Sequence, residues 1–362
     1  MKNLQTLLDL SKYYTLIAVN IFNVIILLLI LNAAAWLAIQ IYKAFEPSYD
    51  LEALQQVYPN MTKADIALLL NETWQRPWQY EPWVSFKERP RTGKFVNISE
   101  AGFRHSYRKN LNLNSPGLNI YVFGGSTIFG YGVDDAATIP SHLQKHLAIR
   151  YPKKQINVFN FGRAYYYSTQ EVALLIQLLH HNHKPAIAIF IDGLNEGQIA
   201  PKYSQAMSVM FTAYNYQHYN LLNHFAQTTT LMRVLRKIMV ITTPHRQVLN
   251  PTQGYQEYLR NKEIITLLSV KYNFIPYFFI QPVPGYHNNF LVHKFSPKSP
   301  LWTLDLNKRM QLLDKTVNSK NSFSITNLLQ NYPSQPFVDD VHYTAAVCNL
   351  IATAIAQKIH LP

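Results

Sequence analysis

The chain has 362 residues, enough for one large domain with an appendage. Hydrophobic residues make up 48% and charged ones only 15%, which excludes an intrinsically disordered chain. Lys and Arg outnumber Asp and Glu by 33 to 20, a net charge of +13 that suits anionic surfaces such as phospholipid headgroups. No Lys/Arg block or glycine-aromatic signature accompanies it, so nucleic acid is not expected as a partner. The single cysteine, Cys348, rules out an intramolecular disulfide and a cysteine-based metal site, and reads as a small buried thiol.

After a short tail, residues 1–12, the stretch Tyr13 to Tyr42 holds no Lys, Arg, Asp or Glu. A bilayer span takes about 20 apolar residues, so residues 13–42 suffice for a transmembrane helix even when tilted. Asn20, Asn23, Asn32 and Gln40 weaken the pattern. Ala33-Ala-Ala35 has the look of a signal-peptidase site, but the apolar run continues through Trp36, Leu37, Ile39 and Ile41, which suits an uncleaved anchor. Lys2 and Lys12 precede it and Lys43 follows. Positive-inside counting then leans toward an inside amino terminus, with the bulk of the chain outside the cytoplasm.

Residues 43–110 are rich in Pro and Trp, with Trp74, Trp78 and Trp83, and predict irregular structure packed near the membrane or onto the main domain. Thr62 is a plausible cap for a helix through Asn71, and Phe95–Ile98 reads as an edge strand before a turn at Gly102-Phe-Arg104. No chemistry is expected from this segment. From residue 111 to 362 strands and helices alternate. Strands are predicted at Leu118–Phe123, Gln155–Phe159, Ala186–Ile191 and Ile275–Gln281. Helices are predicted at Ser141–Arg150, Thr169–Leu179, Tyr255–Lys271, Leu304–Thr316 and Thr344–Ile359. This alternation means βαβ units and a parallel sheet. An insertion at about 201–250 follows Asn195 closely and is expected to lie over the site as a lid, with one helix near Leu221–Ile241.

Candidate chemistry gathers at the strand ends. Gly124-Gly-Ser126 follows the first strand, Asn160-Phe-Gly162 the second and Gly193-Leu-Asn195-Glu196 the third. In a parallel sheet these turns share one edge, where open α/β sheets hold their sites. Near the end comes Asp339-Asp-Val-His342, a carboxylate three residues ahead of an imidazole that it can orient. The bland alternatives are asparagines that cap turns, an Asp339 that caps the last helix in rivalry with Thr344, and a packed His342. His180-His-Asn-His183 reads as a helix end rather than a metal tract, and Asp134-Asp135 as turn chemistry. Neither a cofactor nor a metal is expected. Arg163, beside Gly162, either meets an anionic substrate or solvates its loop.

These four motifs, in this order, resemble those of the SGNH hydrolases, the GDSL-type serine esterases and lipases, from about Leu118 to the carboxyl end. The resemblance implies a three-layer α/β/α domain with a central parallel, flavodoxin-like sheet. It implies Ser126 as nucleophile, His342 as base and Asp339 as its partner. The oxyanion donors would be the N–H groups of Ser126 and Gly162 and the side chain of Asn195. Gly125 stands where the family name has aspartate, and Glu196 where aspartate follows the asparagine. The expected activity is hydrolysis of an acyl ester, such as an acetyl ester of a lipid, glycan or other envelope component. The alternatives are an O-acyltransferase acting on an envelope polysaccharide and a non-catalytic, membrane-tethered module that binds a glycan or protein.

Overall fold

A computed structural model describes residues 2–45, 51–74, 78–107, 111–196, 229–232, 251–288, 300–317 and 320–362. The chain divides into two units, Met1–Ser48 with His218–Arg246, and Tyr49–Gln217 with Gln247–Pro362. In the first, helix α1 (Lys2–Phe45) contains the stretch Ser11–Ile41, long and apolar enough to cross a membrane; an amino-terminal signal sequence passes the same test. Most Leu, Ile and Val side chains between Ser11 and Ile41 stand exposed, whereas Asn32, Ala35 and Ile39, on one face, are buried or half-buried. Three of the polar residues that interrupt it have hydrogen-bond partners. Asn20 Nδ2 donates to Leu16 O (2.8 Å), Thr15 Oγ1 to Ser11 O (2.9 Å), and Asn32 Oδ1 accepts the Leu231 N–H (3.1 Å). Of the insertion at 201–250, the expected lid, only residues 229–232 lie within the described residues.

The second unit opens with helices α2 (Leu51–Val57) and α3 (Lys63–Trp74) and an antiparallel hairpin, β1 (Trp78–Glu81) with β2 (Ser85–Glu88). Thr62 caps α3 as expected, its Oγ1 accepting the Asp65 N–H. Phe95–Ile98 is not a strand. Ile98 makes single bridges to Arg91 and Arg104, because Glu72 takes the neighbouring N–H groups of Lys94, Phe95 and Val96.

The alternation then gives β3 (Leu118–Gly124), α4 (Ser126–Phe129), α5 (Ile139–Arg150), β4 (Ile156–Gly162), α6 (Ser168–His180) and β5 (Ile187–Asp192). After the insertion come α7 (Pro251–Tyr272), β6 (Ile275–Ile280), α8 (Pro300–Asp314), β7 (Ser322–Ser324) and α9 (Ala345–Lys358). Thr138 and Thr344 cap α5 and α9. The five long-range strands are parallel, in the order β4-β3-β5-β6-β7. The last of them, only three residues long and polar, has no signal in the sequence.

Strand side chains alternate between faces, and in β3 and β5 the alternation sorts the aliphatic from the aromatic ones. Ile120, Val122, Val158, Ile187, Ile189 and Ile191 meet Leu143 of α5 and Val347 and Ile351 of α9 in an aliphatic layer. Tyr121, Phe123, Phe159, Phe161, Phe190 and Phe278 face Leu175 of α6 and Ile265 of α7. Across that face Phe161, Phe123, Phe190 and Phe278 stack in a row, with neighbouring centroids 5.5, 4.9 and 5.5 Å apart. Each such side chain contributes about 1.5–3 kcal/mol by burial, so the two layers fix the sheet between its helices. The edge strand β4 is covered by the Gln144 carboxamide, which bonds Ile156 O and the Val158 N–H.

Strand β4 runs three residues beyond its expected end, so Asn160-Phe-Gly162 lies inside the sheet rather than in a turn, with Gly162 opposite Gly124. Both glycines clear the ground for α4. A Cβ at Gly124 would meet Ile128 Cγ1 at 2.2 Å, and one at Gly162 would meet Phe129 N at 2.2 Å and Ile128 C at 2.5 Å. Because the obstacle at Gly162 is backbone, Gly162→Ala is expected to lower stability by at least about 2 kcal/mol. The measurement is the denaturant midpoint of the full chain, and an unchanged midpoint would contradict this packing.

Candidate active site

Helix α4 is a single turn whose first residue is Ser126, with Gly125 as the preceding extended cap. Its carboxyl end would leave carbonyls without partners in an apolar setting. Arg104 meets them. Its Nη1 donates to Phe129 O (2.9 Å) and Gly130 O (2.7 Å), its Nη2 to Val133 O (2.7 Å), and its Nε pairs with Asp135 Oδ1 (2.8 Å). The guanidinium is buried over the Phe129 ring. Asn160 joins the clamp, its Nδ2 donating to Phe129 O (3.2 Å). The turn that carries Ser126 is therefore gripped from a segment in which no chemistry was expected.

The base arrives on the turn before α9. Asp339 Oδ1 accepts the N–H groups of Val341 and His342, both at 2.9 Å, an Asx-type turn that folds the carboxylate under the ring. The His342 Nδ1 lies 2.7 Å from Asp339 Oδ2 and 2.9 Å from Oδ1, and its Nε2 lies 2.8 Å from Ser126 Oγ. Asp339 thus serves the ring, and Thr344 alone caps the helix. Burial alone would raise the Asp339 carboxyl. The charge and ring hydrogen bond of His342 and the two backbone N–H groups outweigh it and hold the carboxyl below the usual aspartate value. The His342 ring stacks on Tyr131 (4.9 Å between centroids) and meets the edge of Trp74 (5.2 Å).

The donors are placed as follows. The Ser126 N–H opens α4, where no carbonyl of its own helix can reach it. Asn195 Nδ2 donates to Tyr166 O (2.8 Å) and lies so close to Gly125 that a Cβ there would meet it at 2.5 Å. That contact explains a glycine where the family name has aspartate. Gly162 departs from expectation. Its N–H donates to Asn160 Oδ1 (3.0 Å) and its α-carbon packs beneath α4, so it offers no free donor. Arg163 does not meet solvent. It is buried, with Nη1 on Tyr166 OH (2.9 Å). The next turn puts Tyr165 at φ 61, a costly left-handed backbone for tyrosine, beside Ala164, whose N–H donates to the buried Glu88 (3.0 Å). Among the described residues no group of three or more His, Cys, Asp or Glu is arranged to hold a metal ion.

Glu196 pins the Asn195 loop to the start of α6, its Oε1 accepting the Ser168 N–H (2.7 Å) and its Oε2 the Ser168 hydroxyl (2.9 Å). Its backbone carbonyl accepts Arg309 Nη1. Burial pushes this carboxyl up to about 7, against the opposing pull of the Ser168 bonds and the Arg309 charge. The buried Glu171 and Asp192 are also raised, Glu171 by burial and then by the charges of Asp192 and Glu196, Asp192 by burial and then by the charge of Glu196, against a lowering hydrogen bond from Glu171.

Solved structures similar to the chain include LAE5, an alpha/beta hydrolase enzyme from the metagenome of Lake Arreo, Spain. It is 15% identical with a TM-score of 0.41, covering 68% of this chain and 96% of that one. A putative lipolytic protein of the G-D-S-L family from Desulfitobacterium hafniense is 11% identical with a TM-score of 0.38, covering 67% and 99%. Axe2, an acetylxylan esterase from Geobacillus stearothermophilus, is 13% identical with a TM-score of 0.39, covering 70% and 98%. These similarities are low in both measures. No protein-family model and no curated protein matches the chain.

Two outcomes are expected. Arg104→Met removes the cation beside Asp135 and leaves the carbonyls of Gly130 and Val133 without its donors, and should cost about 3–5 kcal/mol of stability in denaturant titration. Glu196, raised in the folded state, retains its proton there to higher pH than in the unfolded chain. Its contribution is complete below its ordinary value of 4.5 and is lost as pH rises through about 7. Glu196→Gln should therefore remove on the order of 3 kcal/mol of the stability loss between about pH 5 and about pH 8, read by denaturation at both.

Proposed function

We propose that the chain is a membrane-anchored serine ester hydrolase of the SGNH type. One observation carries the reading: a continuous hydrogen-bonded line from Ser126 Oγ through His342, at 2.8 Å, to Asp339, at 2.7 Å. Ser126 Oγ attacks the ester carbonyl while His342 Nε2 takes its proton, and Asp339 stabilises the imidazolium that forms. The oxyanion is met by the Ser126 N–H and by the second amide proton of Asn195, the first being committed to Tyr166 O. His342 returns the proton to the leaving alcohol, and the acyl-enzyme remains. Water, deprotonated by His342, then attacks it; the tetrahedral intermediate collapses, the carboxylic acid departs and Ser126 regains its proton.

The Tyr131 ring stacked on His342 supports this role, since an aromatic face favours a cation. Helix α1 tethers the enzyme, and the lysines on either side of its apolar stretch support a domain outside the cytoplasm acting on an acyl ester of the cell envelope.

Ser126→Ala is expected to abolish hydrolysis of p-nitrophenyl acetate and labelling by a fluorophosphonate, with thermal unfolding unchanged. Asn195→Ala should lower kcat roughly 10²- to 10³-fold. Full activity in the Ser126 variant, or no labelling of the wild-type chain, refutes the reading. Product analysis with an added sugar acceptor tells a transferase from a hydrolase.

A further inference from the structure

The 2.8 Å separation of Ser126 and His342 joins residues 216 positions apart in the chain, on turns with separate internal supports. Arg104 and Asn160 hold α4 from one side. The base turn is closed on itself by Val338 N–H to His342 O (2.8 Å) and Thr344 N–H to Pro336 O (2.9 Å). Neither set reaches the other turn. Between the turns, Tyr131 lies on the His342 ring, and Gly132 is packed so tightly on Val338 that a Cβ there would meet Cγ2 at 2.3 Å. Such packing sets a closest approach but gives little direction.

Gln281 supplies direction. It follows β6, and its N–H donates to Asp192 O (2.9 Å), which continues the β5–β6 pairing and locks its backbone to the sheet. Its Oε1 accepts the Thr127 hydroxyl at 2.8 Å and the Tyr343 phenol at 3.0 Å. Thr127 is the residue after Ser126, and Tyr343 the residue after His342. All three side chains are buried, each 2% exposed. The phenol also contacts Pro282 O, the next carbonyl along. One carboxamide oxygen, fixed at the carboxyl edge of the sheet, thus holds the immediate neighbours of both residues.

We propose that Gln281 is a positioning residue that sets the Ser126–His342 separation through Thr127 and Tyr343. The proposal rests on the hydrolase reading for its kinetic consequence but not for its geometric one. Gln281→Leu fills the same space without an acceptor. In the full chain it should lower kcat for p-nitrophenyl acetate roughly 10- to 100-fold, the scale of a misplacement near 1 Å, with KM within about twofold. Gln281→Glu retains an acceptor oxygen at the same reach and should recover most of the loss. Thr127→Val added to Gln281→Leu should cost nothing further, since both remove one network.

A folded Gln281→Leu chain with kcat within about twofold of wild type, or fully additive losses, overturns the proposal. Where that variant does not fold, the Thr127→Val, Tyr343→Phe pair is read in its place, with the same expected fall in kcat. Crystal structures of the variants separate the two readings. A Ser126–His342 distance opened beyond about 3.5 Å supports the positioning role even if wild type proves inactive, and an unchanged distance refutes it.

Discussion

A buried guanidinium organises the molecule. Arg104 reaches three carbonyls at and beyond the end of a one-turn helix and a carboxylate from the following turn. A four-residue helix has no stability of its own, because fixing its first turn costs more than one hydrogen bond returns. It persists here because a cation occupies the end where its carbonyls converge, and because two glycines let its backbone rest on the strand ends. Remove either support and Ser126 has no defined position.

The aromatic segment ahead of the sheet is therefore part of the site and not merely a linker. From it come Arg104 beneath the serine turn, Trp74 against the His342 ring, Glu72 binding three backbone N–H groups, and Glu88 holding the turn at Ala164. Its tryptophans divide their work. Trp78 packs among Phe86 and Tyr165, whereas Trp83, at the hairpin tip, stands exposed beside His180.

Around the serine the polar groups are arranged in two grades. The Asp339 carboxylate, ringed by donors, is held in its charged form, which suits a group facing a transient imidazolium. Glu171, Asp192 and Glu196, buried behind Asn195, are pushed the other way and resist ionisation. Carboxyl groups near one site thus carry opposite protonation tendencies: at Asp339 the His342 imidazole and two N–H groups outweigh burial, and at the other three burial wins.

The alternation of strands and helices, the apolar run at the amino terminus, the caps at Thr62 and Thr344, and the order serine, glycine, asparagine, aspartate, histidine were legible from residues alone. Each is a local pattern: period, turn chemistry or spacing within a few positions. Contacts between residues far apart in the chain were not. Nothing near Arg104 announces that it meets Phe129, nothing near Gln281 that it touches both Thr127 and Tyr343, and the short polar strand at Ser322–Ser324 pairs only because β6 offers it an edge. Gly162 shows the boundary most clearly. Its place in a motif was evident, but only the sheet decided that its N–H would be taken by Asn160 and its missing side chain used by α4. Local sequence determines which elements form, because propensity and periodicity act over a few residues. Which donor meets which acceptor depends on close packing that brings distant segments together, and that was decided by the tertiary structure.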